Sequence, residues 1–169
     1  EQALNNPATV SYAAQSLSAY DSADDLAVAF RLRDPITGEW RVTSSSANAN
    51  TLVASGQWNL VDVPFATNAN DSYVTNVIAL TSKLRHDTIY TTDQRQIRRL
   101  ERTGYTNQGT VFTAYKAPLR GLDPIWQMSS PKGQHLLASS SEELLHWQHQ
   151  GWRTDKVAFW TVSFANTAQ

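Results

Sequence analysis

The chain has 169 residues, enough for one domain of ordinary size that buries about two-thirds of the surface its unfolded form exposes. Its 14 Lys and Arg nearly balance its 15 Asp and Glu, so no global field draws it to nucleic acid or to an anionic membrane. Absence of cysteine excludes disulfides and cysteine-based zinc frameworks, and no apolar run approaches the roughly 20 residues of a membrane-spanning helix, which argues against membrane insertion.

Residues 1–24 read as an N-terminal segment or linker without the charged-then-apolar layout of a signal peptide, so an exported protein would have this chain as its mature form. The first unit opens with "AVAFRLRDPITGEWRVTS", which predicts two strands joined by a tight turn at "DPITG". A short helix follows, with Ser45 as N-cap, Asn48 at the capping-box spacing, and Ala49 and Leu52 on one face. Gly56 stands where a left-handed C-terminal residue is wanted, and Trp58 leads into the strand-like "LVDVPFAT". The second unit repeats the order: "VIALTSKLRHDTIYTT", a helix from Asp93 to Gly104 with Gln96, Ile97 and Leu100, then Tyr105 and "GTVFTAYK". The third runs through "PIWQMSSPKGQHLLAS", a helix from Ser140 with Glu143, Leu144 and Trp147, then Gly151, Trp152 and "KVAFWTVSF".

Alignment at Gly104 and Gly151 pairs Tyr105 with Trp152 and Phe112 with Phe159, and the first copy aligns through Thr43, Ala49, Leu52, Gly56 and Phe65, with Trp58 one position late. The copies span about residues 26–70, 76–118 and 123–165 of a single domain, 25–169. A strand, strand, helix, strand unit cannot bury its own apolar face, so the repetition implies stacking or ring closure. Three similar copies without distinct polar caps favour closure. The expected fold is α+β: three β-β-α-β repeats in a compact pseudo-threefold arrangement, β-trefoil-like or a small barrel, with a short stack as the alternative.

Together these anchors resemble a tandem repeat of unknown function found in secreted bacterial and fungal proteins. Its units carry an arginine-bearing strand, a turn, H-F-Y-T-T, an acidic residue in the helix, G-W and E-G-x-x-F. The third copy matches through His135, Ala138, Ser139, Glu143, Gly151, Trp152 and Phe159. The second keeps Tyr90, Thr91, Thr92, Gly104, Tyr105, Gly109 and Phe112, and the first Phe30, Arg31, Thr43, Gly56, Trp58 and Phe65. The histidine position holds Trp40 and Thr88 in the first two copies, and the acidic position Asn48 and Gln96. The resemblance implies a secreted or cell-surface, often glycan-associated setting, since such repeats accompany cell-wall and polysaccharide hydrolases.

Catalytic candidates are thin. His146 and His149 share a helix face, but no acidic or cysteine partner has ligand spacing, so no metal or other cofactor is expected. Glu142 and Glu143 are adjacent, Glu143 having a capping task; Asp24 and Asp25 read as a solvated pair; and only a pairing across repeats, such as Asp87 with Asp155, would assemble a glycosidase. The helix of the second unit carries Arg95, Arg98, Arg99 and Arg102 on the side opposite Ile97 and Leu100, with Lys83 and Arg85 upstream: a solvated face or one for an anionic partner. Trp58, Tyr105, Trp152, Phe65, Phe112, Phe159 and Trp147 read as core. Trp40, Trp126, Trp160, Tyr115 and Tyr90 are less bound by the repeat, and an exposed ring beside polar groups can stack on a sugar's C–H face.

The sequence therefore predicts a non-catalytic, lectin-like domain for a cell-wall or extracellular polysaccharide, with up to three unequal sites. Its ligand-binding residues are Trp40, His135, Arg31, Tyr115, Trp126 and Trp160. The alternatives are a protein-docking module, such as an adhesin or inhibitor, using the arginine-rich helix, and then a glycan-active hydrolase.

Overall fold

The computed structural model describes residues 27–67 and 73–162; the N-terminal segment, Asp24, Asp25 and the outer ends of the first and third copies lie outside the described residues. Unit 1 comprises β1 (Ala27–Arg33), β2 (Trp40–Thr43), α1 (Ser46–Ala54) and β3 (Asn59–Thr67). Unit 2 comprises β4 (Thr75–Ser82), β5 (Asp87–Thr91), α2 (Gln94–Arg102) and β6 (Thr106–Ala114), and unit 3 comprises β7 (Leu122–Ser129), β8 (His135–Ala138), α3 (Ser141–His149) and β9 (Arg153–Val162). The order expected from the sequence is present in each. The result is mostly β: three small antiparallel sheets, each with its first strand in the middle, in the orders β2-β1-β3, β5-β4-β6 and β8-β7-β9.

Register makes the units comparable residue by residue. Arg33 pairs with Trp40, Thr81 with Thr88 and Ser129 with His135, which puts Trp40, Thr88 and His135 at one position. On the other flank Ala29 pairs with Phe65, Val77 with Phe112 and Ile125 with Phe159.

Each helix has nine residues, and its ends are set locally. The Ser45 and Ser140 hydroxyls accept from the N–H groups of Asn48 and Glu143 at 3.1 Å, and the Asp93 carboxylate accepts from Arg95 N–H at 2.9 Å. The return half of the capping box does not form. Ser45 and Asp93 donate their own N–H groups to the Thr43 and Thr91 hydroxyls, both at 3.1 Å, while Gln96 accepts from the Thr91 hydroxyl at 2.6 Å and Glu143 from Ser139 N–H at 3.4 Å, and both side chains also reach a neighbouring unit. Gly56, Gly104 and Gly151 end the helices with φ of 80°, 98° and 91°, a conformation that a Cβ penalises.

Alternation along the strands separates two apolar layers. Residues such as Phe30 and Leu32, Leu80, and Met128 face their own unit's helix side, where Ala49 and Trp58, Ile97 and Tyr105, and Leu144 and Trp152 cover them. The opposite faces meet each other. There Phe65, Phe112 and Phe159 form a triangle with centroid separations of 5.8, 5.6 and 5.6 Å, surrounded by Ala29, Val77, Ile125, Val42, Tyr90 and Leu137. Each buried ring contributes about 1.5–3 kcal/mol, and each tilted or edge contact about 0.5–1.5 kcal/mol more. Every unit touches the other two through corresponding strands, β3, β6 and β9 in one set and β2, β5 and β8 in the other.

The sheets do not join into a closed barrel, and this corrects the barrel or β-trefoil-like closure expected from sequence. The outer strands β2, β5 and β8 have only 4, 5 and 4 residues, and their inward apolar residues Val42, Tyr90 and Leu137 pack in the shared core. A bridge between Tyr115 and Trp160 ties unit 2 to unit 3, with reciprocal N–H to carbonyl bonds of 2.9 and 2.7 Å.

Candidate functional site

Where α3 lies against unit 1, a cleft of about 900 Å³ opens. Three tryptophans, one on β2, one on α3 and one between α3 and β9, line it. Trp147, on the inner side of α3, is centred 5.5 Å from Trp40 on β2 and 5.4 Å from Trp152, which follows the helix glycine, in edge-to-face arrangements. Trp40 is 6 % exposed, and the guanidinium groups of Arg31 and Arg33 sit 5.7 and 5.4 Å from its ring centre. Trp147 and Trp152 are half-buried and keep surface towards the cleft. His146 stands edge-on to Trp147 at 4.9 Å.

The polar floor is built on Arg31. Its Nε donates to Asp62 Oδ1 at 2.8 Å, and Nη1 donates to the Leu137 carbonyl at 3.0 Å and to the Glu143 carboxylate. Burial works against this charge, but the attraction of Asp62 and Glu143 outweighs it and holds the guanidinium pKa above its ordinary value. Unit 1 and unit 3 are thus clamped by one ionised side chain. Glu142 and Gln150 stand exposed at the rim.

The same place recurs between the other units with different chemistry. Against α2, unit 3 presents Gln127 in Arg31's place, bonded at 3.0 Å to Asp155, while Lys156 reaches the Gln96 carbonyl. Burial lowers the Lys156 pKa; Asp93 opposes the shift. Against α1, unit 2 presents Ala79 in Arg31's place, and a cleft of about 420 Å³ is lined by Asn48, Leu52, Lys83, Thr88 and Tyr90 among others. Trp147 is therefore the distinguishing residue of the first cleft, since Leu52 and Leu100 occupy its position elsewhere.

The six residues singled out from sequence do not converge. Arg31 and Trp40 share the cleft, although Trp40 offers no open face. His135 lies at the boundary of units 2 and 3, where Asp87 Oδ1 accepts its N–H at 2.7 Å and Asp87 Oδ2 meets its Nδ1 at 2.6 Å. Asp87 also accepts from the Tyr105 hydroxyl at 2.6 Å, and burial with that bond pushes the phenol up to about 12. Trp126, Trp160 and the buried Tyr115 belong elsewhere on unit 3 and its junction with unit 2. Asp155 is held by Gln127 and by Ser129 at 2.8 Å, so Asp87 and Asp155 are each engaged in a separate network.

Arg95, Arg98, Arg99 and Arg102 are exposed on α2, whose opposite side buries Gln96, Ile97 and Leu100. His149 is exposed at the end of α3, and among the described residues no group of three or more His, Asp and Glu is placed to hold a metal. Sequence reasoning passed over Trp147, Trp152, Arg33 and Asp62 as site residues. A signal was present for Trp147, a large ring where the other copies have leucine, and for Glu143, the single carboxylate among Asn48, Gln96 and Glu143.

Fold and cleft define a mostly-β domain of three matched units with an aromatic, ionised groove at one junction. The chain belongs to a family described as a domain of unknown function (DUF5648), whose sequence pattern matches residues 28–162. No curated protein and no solved structure matches it.

Proposed function

We propose that this is a non-catalytic carbohydrate-binding domain, secreted or surface-exposed, whose principal site is the cleft between units 1 and 3. The observation that carries the reading is the pairing of half-buried Trp147 and Trp152 with a fixed polar floor of Arg31, Asp62 and Glu143. A pyranose has apolar C–H faces and a fringe of hydroxyls, so it needs a ring wall beside charged and amide groups that are already oriented. The Arg31 clamp supplies that orientation before any ligand arrives, which lowers the cost of ordering the site. The chemistry needs no cofactor. Around a pseudo-threefold axis through the phenylalanine triangle, the two other junctions would be unequal secondary sites, and weak affinities on one polymer would combine through avidity.

The test is co-sedimentation of the full chain with insoluble glycans, with tryptophan fluorescence titration of soluble fragments alongside. Trp147→Leu copies the residue of the other two units and should weaken binding at least about tenfold, roughly the 1.4 kcal/mol of one lost stacking contact. Saturable binding that survives Trp147→Leu and Trp152→Ala would reject this cleft. A second reading, docking of an acidic protein, rests on the four exposed arginines of α2; capture that fails on Arg98→Ala/Arg102→Ala and ignores Trp147→Leu would favour it.

A further inference from the structure

The three β-hairpin turns, residues 34–39, 83–86 and 130–134, converge at one end of the molecule. Gln134 fastens them together: its side-chain amide donates to the Thr37 carbonyl and to the His86 carbonyl, both at 2.9 Å. Between the turns lies a pocket of about 420 Å³. Each unit brings cationic or basic groups to it: Arg33 from unit 1, Arg85 and His86 from unit 2, and Lys132 from unit 3. No carboxylate lines it. The nearby acids are turned to other partners: Asp34 accepts from Ile36 N–H at 2.9 Å and from the Gln57 amide at 2.9 Å, Glu39 pairs with Arg41, and Asp87 with His135.

Two further observations mark this pocket. Gly38, His86 and Gly133 occupy the same turn position, and all three have positive φ: 80°, 50° and 86°. Glycine is the residue that tolerates this conformation, yet unit 2 spends it on a histidine whose ring borders the pocket, the pattern of a position held for function. Second, the pocket adjoins the tryptophan cleft. Arg33, Gly38 and Gln134 line both, and a Cβ added at Gly38 would come within 3.1 Å of Gln134 Oε1.

We propose that the ligand is an anionic polysaccharide: sugar rings lie along Trp147 and Trp152, and a carboxylate, sulfate or phosphate substituent further along the chain enters the pocket of Arg33, Arg85, His86 and Lys132. The inference rests on the carbohydrate reading of the adjoining cleft. Arginine and lysine from separate units surround one oxyanion from several sides, and the concave shape suits a discrete charged group. Ile36 and Leu84, each 91 % exposed at the turn tips, flank the pocket and are the feature a membrane surface would use instead.

The experiment measures affinity of the full chain for matched pairs: polygalacturonate and its methyl ester, dextran sulfate and dextran, phosphomannan and mannan. A roughly threefold gain from each of the two exposed cations, Arg85 and Lys132, multiplies to about a tenfold preference for the charged member of at least one pair, shrinking with added salt. The pair that shows it names the anion. In Arg85→Gln/Lys132→Gln, verified as folded by its thermal transition, that ratio should fall to near one. Equal affinity within all three pairs, or a preference untouched by the double substitution, overturns the inference while leaving the carbohydrate reading intact. Binding to no glycan of either kind defeats both. Binding to phosphatidylglycerol vesicles that is lost in Ile36→Asn/Leu84→Asn, with no charged-sugar preference, replaces this proposal with membrane docking.

Discussion

Unit junctions of unlike chemistry allow one to be rewritten as another, and Arg31 is the place to do it. Arg31→Ala copies Ala79 and strands Glu143, whose side chain is 16 % exposed, together with the Leu137 carbonyl. Asp62, 43 % exposed, rehydrates, so the expected loss lies near the lower end of the 3–5 kcal/mol for breaking a buried pair, about 3 kcal/mol. Glu143→Asn copies Asn48 and leaves Arg31 with Asp62, at about 2 kcal/mol. The double substitution copies both polar partners of the unit 1 and unit 2 junction, leaving only the partly exposed Asp62, and should cost about 3 kcal/mol rather than 5, a coupling of about 2 kcal/mol. Urea unfolding followed by tryptophan fluorescence, with free energies from midpoints and slopes, measures all three. Single losses that add within about 0.5 kcal/mol would mean that the clamp does not join the units energetically, and the account of the junction would be wrong.

Truncating any member of the phenylalanine triangle should be similarly severe: Phe65→Ala, Phe112→Ala and Phe159→Ala each lower stability by about 3–5 kcal/mol in the same urea assay, and one that costs under about 1 kcal/mol would show that the units do not share this centre. Burial raises the Glu39 carboxyl above its ordinary 4.5, with Arg41 opposing. A raised folded pKa favours the protonated form, so Glu39's contribution is full below the unfolded pKa and is lost as pH rises through the folded one. Wild-type stability relative to Glu39→Gln should therefore fall as pH rises from about 4.5; a difference that grows with pH refutes the assignment. His86→Gly removes the positive-φ penalty, offset in part by glycine's greater unfolded entropy, and should raise stability by about 0.5–1 kcal/mol while weakening the charged-glycan preference. Lower stability would show that the imidazole supports the turn.

The repeat was legible because its markers are local. A serine or aspartate cap, an apolar pair three residues apart, a glycine after the helix and an alternating strand each act within a few residues, and all three units show them. The candidate site was less legible. Trp40 read as an exposed ring because its position departs from the other copies, but Arg31, Arg33 and Trp147 close over it. Glu143 read as a capping residue because the spacing is right, and one of its oxygens does accept from Ser139 N–H at 3.4 Å, while the other meets Arg31. Spacing cannot choose between two donors when one belongs to another unit.

The amino-acid sequence by itself determined three copies of strand, strand, helix, strand, the residues that end each helix, and the rings that pack against each sheet. Those follow from backbone sterics and hydrophobic period, which operate over one or two turns of chain. Tertiary structure alone decided that the sheets stay separate around Phe65, Phe112 and Phe159, that Arg31 crosses 112 residues of sequence to reach Glu143, and that Arg33, His86 and Lys132 border one pocket. Each of those depends on how three units of nearly equal shape meet, and the residues that meet there are the ones in which the copies differ.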